Sequence, residues 1–245
     1  MLFNSLEFAV FLPIVYALYW LLSKYGYQAQ NIVLLGASYF FYGWWNWRFL
    51  GLIVFSSLVD YGVGLALAST HQTKRRKWWL MLSLSINLGL LLFFKYFNFF
   101  IDSFTQAFSL LGFTFNSAQL SIILPVGISF YTFQTLSYTI DIYRNKINPT
   151  KHLLSFCCFV SFFPQLVAGP IERASHLLPQ FHQKSTFDYT QTVDGLRQLL
   201  WGLFKKIVIA DSCANYVNNI FENSAHYNGI TLILGAFFFA IQIYG

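Results

Sequence analysis

Two groups of polar side chains stand in otherwise apolar sequence, and they are the places where chemistry could occur. The first is the run Leu124-Pro-Val-Gly-Ile-Ser-Phe-Tyr-Thr-Phe-Gln134 and its continuation to Asp141, Tyr143 and Arg144. Ser129, Thr132, Gln134, Ser137 and Tyr138 give it many hydrogen-bonding groups, each of which needs a partner inside the protein if the surroundings are lipid. The second is Phe162-Phe-Pro-Gln-Leu-Val-Ala-Gly-Pro-Ile-Glu-Arg173. Pro164 breaks its apolar run and frees backbone groups. Glu172 and Arg173 follow, able to bind a phosphate or carboxylate, or to form a surface ion pair. For both groups, polar packing between helices is the competing reading.

Other chemistries find no support. Gly127-Ile-Ser129-Phe-Tyr131 lacks the second glycine of a nucleophile elbow. His176 and His182 are six residues apart and do not share a helical face, so no zinc pair is indicated; His71 and His152 sit in basic loops. No Walker loop or dinucleotide fingerprint is present. Cys157, Cys158 and Cys213 have neither disulfide nor metal spacing. Asp60 lies inside an apolar run, where an ionisable residue is a functional candidate by default. Its alternative is a carboxyl paired with a neighbouring helix. Glu7, near one end of the first run, reads as structural.

The elements that must hold these residues are membrane helices. Hydrophobic residues make up 56% of the chain and charged residues 10%, far below the roughly 25% charged of soluble domains. Runs near the 20 residues needed to span a bilayer occur at 2–22, 31–47, 49–69, 78–94, 120–140 and 153–168, with weaker ones at 193–210 and 230–244. The predicted fold class is therefore all-α, a polytopic membrane helical bundle with broken and interfacial helices. Orientation follows from Lys74-Arg75-Arg76-Lys77 and the paired Trp78-Trp79, a basic loop and interface anchors. With the N-terminus outside, segments 23–30, 70–77 and 141–152 hold eight Lys/Arg, and the other side up to residue 152 holds Arg48 and Lys95. The net charge of +6 then faces anionic lipid, and nucleic acid is not an expected partner.

Residues 95–119, broken by Asn98, Asp102, Gln106 and Asn116, read as a surface-lying helix with a turn at Gly112. Residues 191–211 carry a helical stripe of Val193, Leu196, Leu200, Leu203 and Ile207, fitting an interfacial helix or a packed one. No internal repeat or linker is visible, so one domain is expected. The apolar stretch 230–245 ends without a charged flank, which predicts the front part of a longer protein.

The two polar segments, with Leu2-Phe-Asn-Ser-Leu-Glu-Phe8, Tyr39-Phe-Phe-Tyr-Gly-Trp-Trp-Asn-Trp47 and Gly202-Leu-Phe-Lys-Lys-Ile-Val-Ile-Ala-Asp211, resemble the membrane-bound O-acyltransferase family, most closely its bacterial alginate O-acetyltransferase branch. The resemblance implies a multi-pass enzyme of the bacterial inner membrane. It would move an acetyl group from a cytoplasmic donor, acetyl-CoA or another acyl carrier, to a polysaccharide hydroxyl or a periplasmic transfer partner. It implies no bound cofactor. Gln134, Asp141, Arg144, Glu172 and Arg173 would then line the donor's approach, the two arginines on its phosphates. The family's essential intramembrane His has no counterpart in this chain and is expected beyond Gly245. A transporter or flippase fragment, for which broken helices are also typical, and a non-catalytic membrane subunit are the alternatives.

Overall fold

The computed structural model describes residues 1–109, 125, 127–166, 169–170 and 172–244. Among them the regular structure is helical throughout, as expected. The chain divides into two compact units, Leu12–Ser185 and Leu2–Phe11 with Thr186–Gly245. Three helical stretches are long and apolar enough to cross a membrane: Leu6–Tyr25, Tyr27–Ser69 and Thr73–Thr105. The chain is a multi-pass membrane protein.

In the first unit α1 (Leu6–Leu21, entering the unit at Leu12), α2 (Tyr27–Asn46) and α3 (Leu50–Ser69) follow one another with short 3-10 turns between them. α2 and α3 form a hairpin. The Tyr27 ring lies 6.5 Å from that of His152, and Tyr61 donates to the carbonyl of the adjacent Lys151. Asn46 makes the turn: its backbone is extended and its side chain accepts from Arg48 N–H. α3 and α4 (Thr73–Ser109) run antiparallel, bonded Ser56 to Asn87, Asp60 to Ser83, and Leu67 to Arg76. α5 (Ile128–Tyr143) runs antiparallel to α4, with Thr135 near Asn87 and Thr139 near Ser83.

α4 corrects one expectation. Residues 95–109 are not a separate surface helix; they continue α4 without a break. Its 37 residues make a helix about 55 Å long. Asn98, Asp102 and Gln106 recur every four residues, which keeps them on one stripe of the helix instead of interrupting it. The expected turn at Gly112 and the expected span start at Leu120 lie outside the described residues.

The second correction concerns 153–168. α6 (Leu153–Ser161) has nine residues, about 13 Å of rise against a hydrocarbon core of about 30 Å. It stops at Phe162, followed by α7 (Phe163–Leu166), α8 (Ala174–Leu177) and a 3-10 turn over 178–182. That turn returns to the level at which α6 began: Phe181 O accepts from Asn31 Nδ2 (2.7 Å) and Ser155 Oγ (3.2 Å). Thr150 Oγ1 lies 3.1 Å from His182 Nε2, closing the mouth. The described residues of 153–182 therefore form a re-entrant hairpin, not a crossing. Pro164 is exposed where the chain turns over.

The second unit carries α9 (Tyr189–Phe204), a π-helical turn over Lys205–Ala210, α10 (Asp211–Glu222) and α11 (Gly229–Tyr244). Asp188 caps α9, accepting from Thr190 and Gln191 N–H. α10 packs on α11 through Gly235, where an added Cβ would lie 2.9 Å from Ile220. Most of the expected stripe on α9 is solvent- or lipid-exposed, Leu196 and Leu200 included.

Candidate functional site

The candidate site is a layer of buried polar side chains at mid-depth in the first unit. One half of it joins α3, α4 and α5. Asp60 is fully buried and accepts from Ser83 Oγ (2.5 Å), Asn87 Nδ2 (2.8 Å) and, more distantly, Thr139 Oγ1 (3.4 Å). Asn87 Oδ1 accepts in turn from Ser56 Oγ (2.8 Å). No ion pair involves Asp60 among the described residues; neutral donors satisfy it. This is the helix-pairing reading of Asp60. It is about 13 Å along α3 from Ser69.

The other half joins α5 to the re-entrant hairpin. Gln134 is buried and donates to Phe159 O (2.6 Å), with Gln165 Oε1 at 3.5 Å. Gln165 donates to Pro170 O (2.6 Å). The N–H of Phe163 finds Ser38 Oγ (3.2 Å) on α2. These bonds satisfy groups that the break leaves free, as lipid requires. The break also presses on the start of α5. Gly127 has φ +77°, and an added Cβ would sit 2.7 Å from Leu166 O. A side chain there meets both backbone strain and a carbonyl.

Gln134 and the Pro164 break are thus brought together, but Arg144 is not part of that meeting. It caps α5 at the far end, exposed, about 15 Å along the helix from Gln134. Asp141 is half-buried near it, and the two form no ion pair. Glu172 pairs with His176 (3.0 Å) rather than with Arg173. Arg173 is exposed and begins α8, its carbonyl accepting from His176 and Leu177 N–H. Both arginines keep their guanidinium groups available.

Arg76 has a larger role than a loop charge. Its guanidinium donates to Leu67 O (2.8 Å), Ile142 O (3.2 Å), Tyr143 O (2.9 Å) and Asn145 Oδ1 (2.8 Å). It thereby satisfies the last carbonyls of α3 and α5, the negative ends of both helices. A polar hollow of about 420 Å³ lies beside it, lined by His71, Thr73, Tyr143 and Asn145. The clasp places segments 70–77 and 141–152 at one end of the unit. Segment 23–30 joins them there through Tyr27 and His152.

The polar partners Ser83, Asn87, Asn31 and Ser155 escaped the sequence reading. Ser83 and Asn87 are four apart in an apolar run, the spacing that puts two polar groups on one helix face. Partial burial, and then the neighbouring His152, hold the pKa of His182 below that of a free histidine. The described residues contain no cluster of three or more His, Cys, Asp or Glu able to hold a metal.

Aligned with curated proteins, the whole chain is 37% identical to the probable alginate O-acetylase AlgI of Pseudomonas putida, covering 50% of it. It is 38% identical to that of Azotobacter vinelandii, covering 48%. It is 33% identical to the peptidoglycan O-acetyltransferase of Helicobacter pylori, covering 51%. The similarity extends over the whole length of the chain. It spans about half the length of the curated relatives it matches. No family model and no solved structure matches it.

Proposed function

We propose that this chain is part of a membrane-bound O-acetyltransferase that acetylates hydroxyls of a polysaccharide outside the cytoplasm. The observation that carries the reading is the full-chain similarity to relatives named for acetylating two different glycans. Acetyl-CoA or another acyl carrier donates from the basic end, which faces the cytoplasm by the Lys/Arg asymmetry. The membrane is the bacterial inner membrane, with the N-terminus on the far side. The acceptor is alginate, peptidoglycan or a similar polymer, reached directly or through a periplasmic acetyl-transfer partner.

In this reading the chain supplies scaffold and donor approach. Arg144 and Arg173, exposed and unpaired with carboxylates, suit phosphate oxygens. The Gln134–Gln165 junction holds the break rigid at mid-depth. The base that deprotonates the acceptor hydroxyl is a His supplied outside these 245 residues, a role suited to its pKa. Transfer of labelled acetyl to polysaccharide by membranes carrying the complete gene product tests the reading. Turnover by the full product, none by this chain alone, and a raised donor KM in Arg144→Ala or Arg173→Ala at normal protein level are expected. Turnover by this chain alone contradicts it.

A further inference from the structure

Beside the re-entrant hairpin, α1 and α2 leave an apolar hollow of about 240 Å³. Leu12 and Tyr16 form one wall, Leu34 another, and Phe162, Phe163 and Pro164 of the break close the top. Tyr16 and Pro164 are exposed, so the hollow opens outward along the side of the unit. A hollow lined this way is a poor site for water, because its walls are almost wholly apolar. Left empty, its walls forfeit their dispersion contacts. On a membrane-spanning unit the filler at hand is hydrocarbon.

The lower end of the hollow is different in kind. Tyr19 lines it and donates through its hydroxyl to Ser185 Oγ (2.8 Å). Ser185 is further pinned to α2, its N–H donating to Gln30 Oε1 (3.2 Å). Two exposed basic residues lie close in the chain to the residues of this end. Lys184 precedes Ser185, and Lys24 lies one turn after Trp20, another lining residue. Neither lysine has an acidic partner among the described residues. The level is that of the basic end, where Tyr27, His152 and the Arg76 clasp also lie.

An apolar slot rising to mid-depth from two lysines at the interface, neither paired with a carboxylate and Lys24 resting over the Tyr25 ring, matches the charge and polarity pattern of one molecule. We propose that this slot binds an anionic phospholipid of the leaflet at the basic end, one acyl chain against Leu12, Leu34 and Pro164 and the phosphate between Lys24 and Lys184. The lipid buttresses the Pro164 turn of the re-entrant hairpin from the bilayer side. The site is independent of the acyl-transfer reading, since it uses neither Gln134 nor the arginines proposed for the donor.

Native mass spectrometry of the complete gene product in mild detergent tests it, with phosphatidylglycerol or phosphatidylcholine of identical chains added. The wild type retains one phosphatidylglycerol in preference to phosphatidylcholine. Lys24→Gln and Lys184→Gln each cut that preference about fivefold. Leu12→Trp, which fills the slot, removes both lipids, and Leu34→Trp does the same from the opposite wall if the first variant is poorly folded. Equal retention of the two lipids by the wild type overturns the headgroup clasp. Retention of lipid by both tryptophan variants, or no retained lipid in the wild type because the rest of the protein fills the slot, overturns the site.

Discussion

The α3–α4–α5 seam and the α10–α11 hairpin both pack helix on helix in one chain, yet they solve burial in opposite ways. The seam encloses Ser56, Asp60, Ser83, Asn87, Thr135 and Thr139, all buried and hydrogen-bonded to one another. In the stretch 189–244 the buried residues are Ala210, Val217 and Gly235, and the ion pair of Lys206 with Asp211 is exposed. Polar pairing specifies which helices meet and in what register, because a mismatched polar group in lipid costs several kcal/mol, roughly. The seam has that specification within the chain. The hairpin packs through Gly235 against Ile220 and through the ring pairs Tyr216–Phe238 and Phe221–Phe239, which are apolar contacts, and its outward apolar surface remains for lipid or for other protein.

Substitution can break this contrast. Asp60→Ala has the largest expected effect, because it removes the buried acceptor of the Ser83 hydroxyl and of one Asn87 amide bond. About 3 kcal/mol of stability is lost, read as a lowered unfolding midpoint of the purified protein in detergent. An unchanged midpoint would show that the seam does not carry the unit. Gly127→Ala comes next, at about 2 kcal/mol, from its left-handed backbone and the Leu166 carbonyl; the same midpoint reads it.

The pH response sharpens the contrast further. His182 has a folded pKa below its ordinary 6.5, so the unfolded chain takes up the proton first. Stability is therefore full above pH 6.5 and falls as pH drops below it. His182→Gln should flatten the dependence of the midpoint between pH 7.5 and 5.5, and an unchanged slope would count against it. Lys206→Ala should have the smallest effect, under about 0.5 kcal/mol, as a half-exposed pair predicts. A loss comparable with Asp60→Ala would mean that the second unit is as tightly specified as the first.

Much of this organisation was legible in the sequence. The helices α1, α2 and α3 begin and end within a few residues of their apolar runs, since hydropathy and span length report the same solvent. The shared end of the three basic segments was legible from charge alone. Gln134 announced itself as a polar residue in an apolar helix, though its partner, a carbonyl of α6, has no sequence signature. The re-entrant hairpin was misread because an apolar run records what surrounds a segment, not whether it crosses. Leu153–Leu166 is short for a span, and Pro164 sits near its end, so length carried the clue. The extent of α4 is hidden in the sequence because Asn98, Asp102 and Gln106, each a break when read singly, recur at four-residue spacing.

The account depends most on segment 153–182 entering and leaving at the basic end, since this puts the Pro164 break at mid-depth on the donor's side. Single cysteines at positions 72, 146 and 184, in a cysteine-free complete gene product, test it with a membrane-impermeant maleimide. All three should resist labelling in intact cells and react in inverted membrane vesicles. Labelling at 184 from outside intact cells, with 72 and 146 protected, would make the segment a true crossing and contradict the account.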